Sequence, residues 1–142
     1  MTSKNRSAAR YISKLSNKIR RKLDSLSSKG NFSGAQGKVL HFILAQSSDM
    51  FQKDIEEEFS LRPSSATELL KQMEKGGLIR REPVDYDGRL KRITVTEKAL
   101  GYREQVVRNL ADMEEELLRD VSREELSIFF KVVEQMLDNL SI

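Results

Sequence analysis

The hydrophobic period of this chain switches from helical to alternating and back, and that restricts the folds open to it. Ala8, Ile12, Leu15, Ile19, Leu23 and Leu26 fall three or four apart, which predicts a helix over 8–27, ended by Gly30-Asn31. Ser33 is placed to cap a second helix to about Gln46, with Val39, Leu40, Ile43 and Leu44 inward. After a break at Ser47-Ser48-Asp49, FQKDIEEEF puts Phe51, Ile55 and Phe59 on one face of a short helix over 51–59. Ser60-Leu61-Arg62 is a turn, and Pro63 stands where the first residue of a helix tolerates a missing N–H. That helix, 63–75, turns Ala66, Leu69, Leu70 and Met73 inward and stops at Gly76-Gly77.

Residues 78–83 and 90–95 then alternate as two strands, with a turn over Val84 to Arg89 marked by Asp87-Gly88. Thr96 caps a long helix expected over 97–120, and Ser122 with Glu125 forms a capping box for a last helix over 122–140. The predicted fold is mainly α with a small β-hairpin wing. A winged helix-turn-helix domain over 33–96 lies between an N-terminal helix (1–32) and C-terminal helices (97–142). The terminal helices carry more apolar surface than so small a core can cover. Leu126, Phe129, Phe130, Val133, Met136, Leu137 and Leu140 line one side of the last one. They are therefore expected to form a dimerisation bundle with a second copy under two-fold symmetry.

Composition removes most enzymatic readings. The chain has no cysteine and one histidine, His41. That excludes thiolate metal sites, cysteine nucleophiles and disulfide scaffolds, and disfavours a His-pair metal site or a Ser/His triad. No nucleophile–base pair or metal set stands at useful spacing, so no catalytic residue, cofactor or metal is expected. No run approaches the ~18 apolar residues of a membrane span. The basic N-terminus is not followed by the apolar stretch of a secretory signal, so the expected location is cytoplasmic. Charge is segregated: residues 1–29 carry nine Lys/Arg against one acid, and 93–142 carry six against eleven. Such segregation suits a polyanion on one surface and protein contacts on another.

The helix over 63–75 is the candidate reading head. Opposite its apolar face stand Ser64, Ser65, Thr67, Glu68, Lys71, Gln72 and Lys75, with Arg62 at its entry. Short hydroxyls let a backbone approach phosphates, glutamate can accept from cytosine N4, and glutamine can pair with adenine. The hairpin supplies Arg80, Arg81, Lys91 and Arg92 for phosphates. Its tip, Asp85-Tyr86-Asp87-Gly88-Arg89, can place Arg89 in a minor groove, with Asp87 holding it by a bidentate pair.

These residues resemble the MarR-type winged-helix transcriptional regulators over about 10–140, most strongly over 51–97. Thr67 to Ile79 looks like the family's recognition helix and its exit. Asp85-x-Asp87-x-Arg89 followed by Ile93-Thr94-Val95-Thr96 looks like its wing, and Gln36 matches the opening of the second helix. Phe51 departs from the pattern, because many members carry a threonine-type cap there. The resemblance implies a homodimer that acts as a repressor on an inverted repeat in double-stranded DNA. It makes Arg89 the minor-groove residue and Asp87 its partner. It also implies a small aromatic or anionic effector between bundle and reading domain, for which Tyr11, His41 and Phe42 are the candidates. Cysteine-based and His-rich zinc-sensing branches are excluded by composition. Glu114-Glu115-Glu116 is acidic enough to consider for a metal, although a salt-bridged helix facing the basic first helix is the simpler expectation. Competing readings are a protein-docking winged helix and a sequence-blind DNA-binding module.

Overall fold

Four of the seven helices described start where a hydroxyl side chain takes up a free amide. A computed structural model describes residues 6–27 and 32–141. Helix α1 (Ala8–Leu26) begins at Ser7, whose hydroxyl accepts the Arg10 N–H, and α2 (Gly34–Leu44) begins at Ser33, which accepts from Gln36. Helix α3 (Gln52–Phe59) has Phe51 at its cap, which offers no side-chain acceptor. The Asp54 carboxylate supplies the missing half by accepting the Phe51 N–H at 2.9 Å. Pro63 opens α4 (Pro63–Lys75), which ends through Gly76 and Gly77, the latter at φ 78°, where a Cβ would be strained.

Strands β1 (Ile79–Val84) and β2 (Asp87–Val95) form one antiparallel hairpin, with Ile79 opposite Val95 and a register shift at Pro83/Val84. Strand β2 therefore starts earlier than expected. Asp87 and Gly88 belong to it, and only Asp85-Tyr86 separates the strands. Val84 pairs with Asp87, and the irregularity at Pro83 absorbs the difference in length. The Ile93 N–H also donates to Met50 O at 2.7 Å, which ties the hairpin to the α2–α3 connection.

The helix expected over 97–120 is two helices. Thr96 caps α5 (Glu97–Leu100), and α6 (Arg103–Leu117) follows a break at Gly101-Tyr102. The Tyr102 N–H bonds back to Ala99 O rather than continuing the four-residue ladder, and its ring meets Phe32 edge-on at 5.2 Å. Gly101 has little helix preference to resist this. Helix α7 (Arg123–Asn139) opens with the expected Ser122–Glu125 box.

The core joins Val39, Leu40 and Ile43 of α2 to Ile55 of α3, Leu70 and Met73 of α4, and Leu78, Ile79 and Ile93 of the hairpin. Ala99 and Val106 close it from α5 and α6. Helix α1 reaches this body through Leu23 and through Asp24, whose carboxylate accepts the Gly34 N–H at 2.7 Å. Ile19 and Leu26 are half-buried, and the N-terminal part of its apolar stripe does not follow, for Ile12 and Leu15 stand exposed. Helix α7 has no buried residue, and Phe129, Phe130, Leu137 and Leu140 are exposed. The expected stop at Gly30-Asn31 lies outside the described residues. Among those described, no helix is long and apolar enough to cross a membrane.

Candidate nucleic-acid interface

The apolar spacing of α4 fixes which side it shows. Ala66, Leu70 and Met73 are buried and Leu69 is half-buried, so Ser64, Ser65, Thr67, Glu68, Lys71, Gln72 and Lys75 stand exposed together, with Arg62 at the entry. Within this surface the Gln72 amide donates to Glu68 at 3.2 Å. Sequence reasoning missed Gln52, on the neighbouring helix. Its amide donates to the Thr67 hydroxyl oxygen at 2.9 Å and to Glu56 at 3.0 Å, and lies 3.3 Å from Pro63 O. Contacts eleven to fifteen residues apart depend on the angle between α3 and α4, which no periodicity reveals.

The hairpin is fastened to the end of α4 at its base. The Thr96 hydroxyl donates to Gly77 O at 2.6 Å and accepts the Ala99 N–H at 3.1 Å, and Lys98 donates to Gly76 O at 2.9 Å. A cation over the last carbonyls of a helix also suits its dipole.

The hairpin cations divide into two pairs. Arg80 and Lys91 are exposed. Arg81 is drawn to Glu74 of α4 at 3.1 Å, and Arg92 to Asp49 at 3.4 Å. The Nε atoms of both arginines are buried without a hydrogen-bond partner among the described residues. At the tip, Asp87 Oδ1 accepts the Arg89 backbone N–H at 2.9 Å, while the guanidinium stays 3.8 Å away with its side chain 97% exposed. The expected bidentate pair is not what forms. The carboxylate shapes the turn, since Asp readily bonds an amide two residues on, and the guanidinium is left projecting.

Tyr11 is exposed on α1, and His41 and Phe42 are half-buried on α2. Phe42 packs edge-on to Phe59 at 5.7 Å and lines a cleft of about 340 Å³ with Met50, Asp49, Asp54, Glu57 and Glu58. Tyr11 and His41 do not line that cleft. Among the described residues, no three His, Asp or Glu side chains are arranged to hold a metal ion. Glu116 instead bonds Lys22 of α1 at 3.0 Å, and this hydrogen bond, with the lysine's charge, holds its carboxyl below the usual range. Glu125 is held below that range by the Ser122 backbone N–H, then by the Ser122 side chain.

Comparisons with known proteins agree with this geometry. The sequence model of the MarR family matches residues 31–90. YwhA of Bacillus subtilis (strain 168), an uncharacterized HTH-type transcriptional regulator, is 27% identical over 119 residues, which cover 84% of this chain and 85% of the relative. The crystal structure of the transcription regulator MarR from Oenococcus oeni PSU-1 is 24% identical, with a TM-score of 0.81 over 93% of this chain and 99% of the other. The S. aureus MepR–DNA complex is 23% identical, with a TM-score of 0.87 over 96% of this chain and 100% of the other. At these identities the likeness to solved structures is one of fold.

Proposed function

We propose that this chain is a DNA-binding transcriptional regulator of the MarR type that works as a two-fold dimer, docking one reading helix and one wing on each half of an inverted repeat. The observation that carries this reading is the pairing of two features on one body. Helix α4 shows a hydroxyl-, amide- and lysine-bearing face opposite its buried one, and the hairpin fastened to its end projects an almost fully exposed Arg89. Helix α4 would enter the major groove, where Ser64, Ser65, Thr67, Glu68, Lys71 and Gln72 meet base edges and phosphates. Arg89 would enter the neighbouring minor groove, where negative potential favours a guanidinium. Arg62, Arg80 and Lys91 would meet phosphates. MepR was solved as a DNA complex, and it shares the fold over nearly the whole chain.

The exposed apolar residues of α1 and α7 support the dimer, with 1–32 and 97–142 as its bundle and 33–96 as its reading domain. Repression would be steric: an occupied operator overlapping a promoter excludes polymerase, in the cytoplasm. An effector between bundle and reading domain would act at Tyr11, His41 and Phe42. Site selection from a random duplex pool at about 150 mM salt tests the reading. The expected product is an inverted repeat with half-site centres about one helical turn apart. Binding without sequence enrichment, or none at all, overturns it.

A further inference from the structure

We infer that Gln52 sets the base specificity of Thr67 by turning its hydroxyl into an outward-facing donor, an inference that rests on α4 being the helix that enters the groove. The amide nitrogen of Gln52 lies 2.9 Å from Thr67 Oγ1, 3.0 Å from a Glu56 carboxylate oxygen and 3.3 Å from Pro63 O. Carboxylate and carbonyl oxygens can only accept, so the –NH₂ end of the amide must face this cluster. Thr67 is therefore the acceptor in its bond to Gln52.

A free threonine hydroxyl can donate or accept and reads base edges poorly. Here one of its acceptor directions is occupied from the protein side. Among the described residues it donates to no protein group, so its proton is left for the exposed side. Accepting a bond also polarises the O–H and makes it a better donor. In the major groove, guanine, adenine N7 and thymine O4 offer acceptors, whereas cytosine presents its N4 amino donor. Thr67 held this way favours an acceptor and disfavours cytosine at one position of each half-site. Gln52 touches no base, so its part is positioning.

Site selection with the unmodified protein, Gln52→Met and Thr67→Val tests this. Methionine keeps the length of Gln52 and removes its donors, and valine keeps the shape of Thr67 and removes its hydroxyl. The native motif is expected to be depleted of cytosine at one position. Both variants should readmit cytosine there by about tenfold, leave the other positions and the salt dependence unchanged, and add nothing when combined. A purely structural Gln52 would instead weaken all sequences alike, and that result overturns the proposal, as does an unaltered motif. An unaltered Thr67→Val motif overturns it even if Gln52→Met does not fold. If the unmodified protein selects no motif, the reading of α4 fails first and takes the inference with it.

Discussion

Glu74, one residue before the end of α4, holds the Arg81 guanidinium of β1 at 3.1 Å, so α4 and the hairpin are joined by an ion pair. Arg81 is thereby committed to the protein, whereas Lys91 on the neighbouring strand is exposed. A cation that meets a phosphate releases a counterion on binding, and removing it lowers the salt slope by about 1. Lys91→Ala should lower the slope of log K against log salt by that amount, evenly for all sequences. Arg81→Ala should leave the slope unchanged while costing at most about 1 kcal/mol of stability, as half-exposed pairs do. Fluorescence titration across a salt series separates the two. Equal slope changes would mean that the Glu74 pair opens on DNA.

At the tip, Asp87 and Arg89 should prove separable. Arg89→Ala removes the projecting guanidinium and should cost about 1–3 kcal/mol on the best site. Asp87→Asn keeps a side-chain oxygen for the Arg89 N–H at 2.9 Å and removes a negative charge from the DNA side, so affinity should hold or rise. Asp87→Ala loses the turn bond and should bind more weakly than Asp87→Asn. If Asn and Ala behave alike, the carboxylate acts on the guanidinium by charge and not on the backbone.

Much of this arrangement could be read before the structure, because it rests on local rules. Ser33 and the Ser122–Glu125 box cap the helices expected there, Thr96 caps a helix that starts where expected but ends at Leu100, and Ala66, Leu70 and Met73 are the buried face of α4. What escaped reading is decided across long sequence separations. The apolar period runs on through Gly101-Tyr102, and the break is fixed by Tyr102 meeting Phe32. Alternation places Arg81 and Arg92 on a strand, but the acids that claim them, Glu74 and Asp49, arrive from other elements. Gln52 was invisible for the same reason.

The contact between α1 and α2 is close enough to exclude a methyl group. A Cβ on Gly34 would lie 2.7 Å from Leu23 Cβ and 2.9 Å from Asp24 Oδ1. Neither can yield cheaply, since Leu23 is buried and Asp24 accepts the Gly34 N–H. Gly34→Ala should therefore destabilise the protein by about 1–3 kcal/mol, seen as an earlier midpoint in urea. An unchanged midpoint would mean that α1 shifts freely against α2.

Two carboxyls contribute to the loss of stability in acid. Lys22 lowers the Glu116 pKa in the folded chain, and the Ser122 cap lowers that of Glu125. A depressed folded value contributes stability above the unfolded carboxylate value of about 4.3, and that stability is lost as pH falls through the folded value. Glu116→Gln and Glu125→Gln should each flatten the fall of Tm with acid while leaving its direction. Because Glu116 rests in part on the charge of Lys22, added salt should shrink its effect more than that of Glu125.

Helix α7 offers the sharpest test of the dimer. Phe129 is 48% exposed and Leu137 57%, on a helix with no buried residue. Their rows recur at helical spacing, so they present one apolar side that the chain's own core leaves uncovered. Leu137→Glu puts a charge on that side without emptying any intramolecular core, and glutamate favours the helix about as well as leucine. The variant should keep its far-ultraviolet dichroism yet sediment as a monomer at micromolar concentration. Affinity for an inverted repeat should then fall steeply, because each half-site would have to bind its reading domain alone, while affinity for a single half-site should change little. A variant that stays dimeric would move the interface off α7. One that unfolds would show that α7 is held by its own chain.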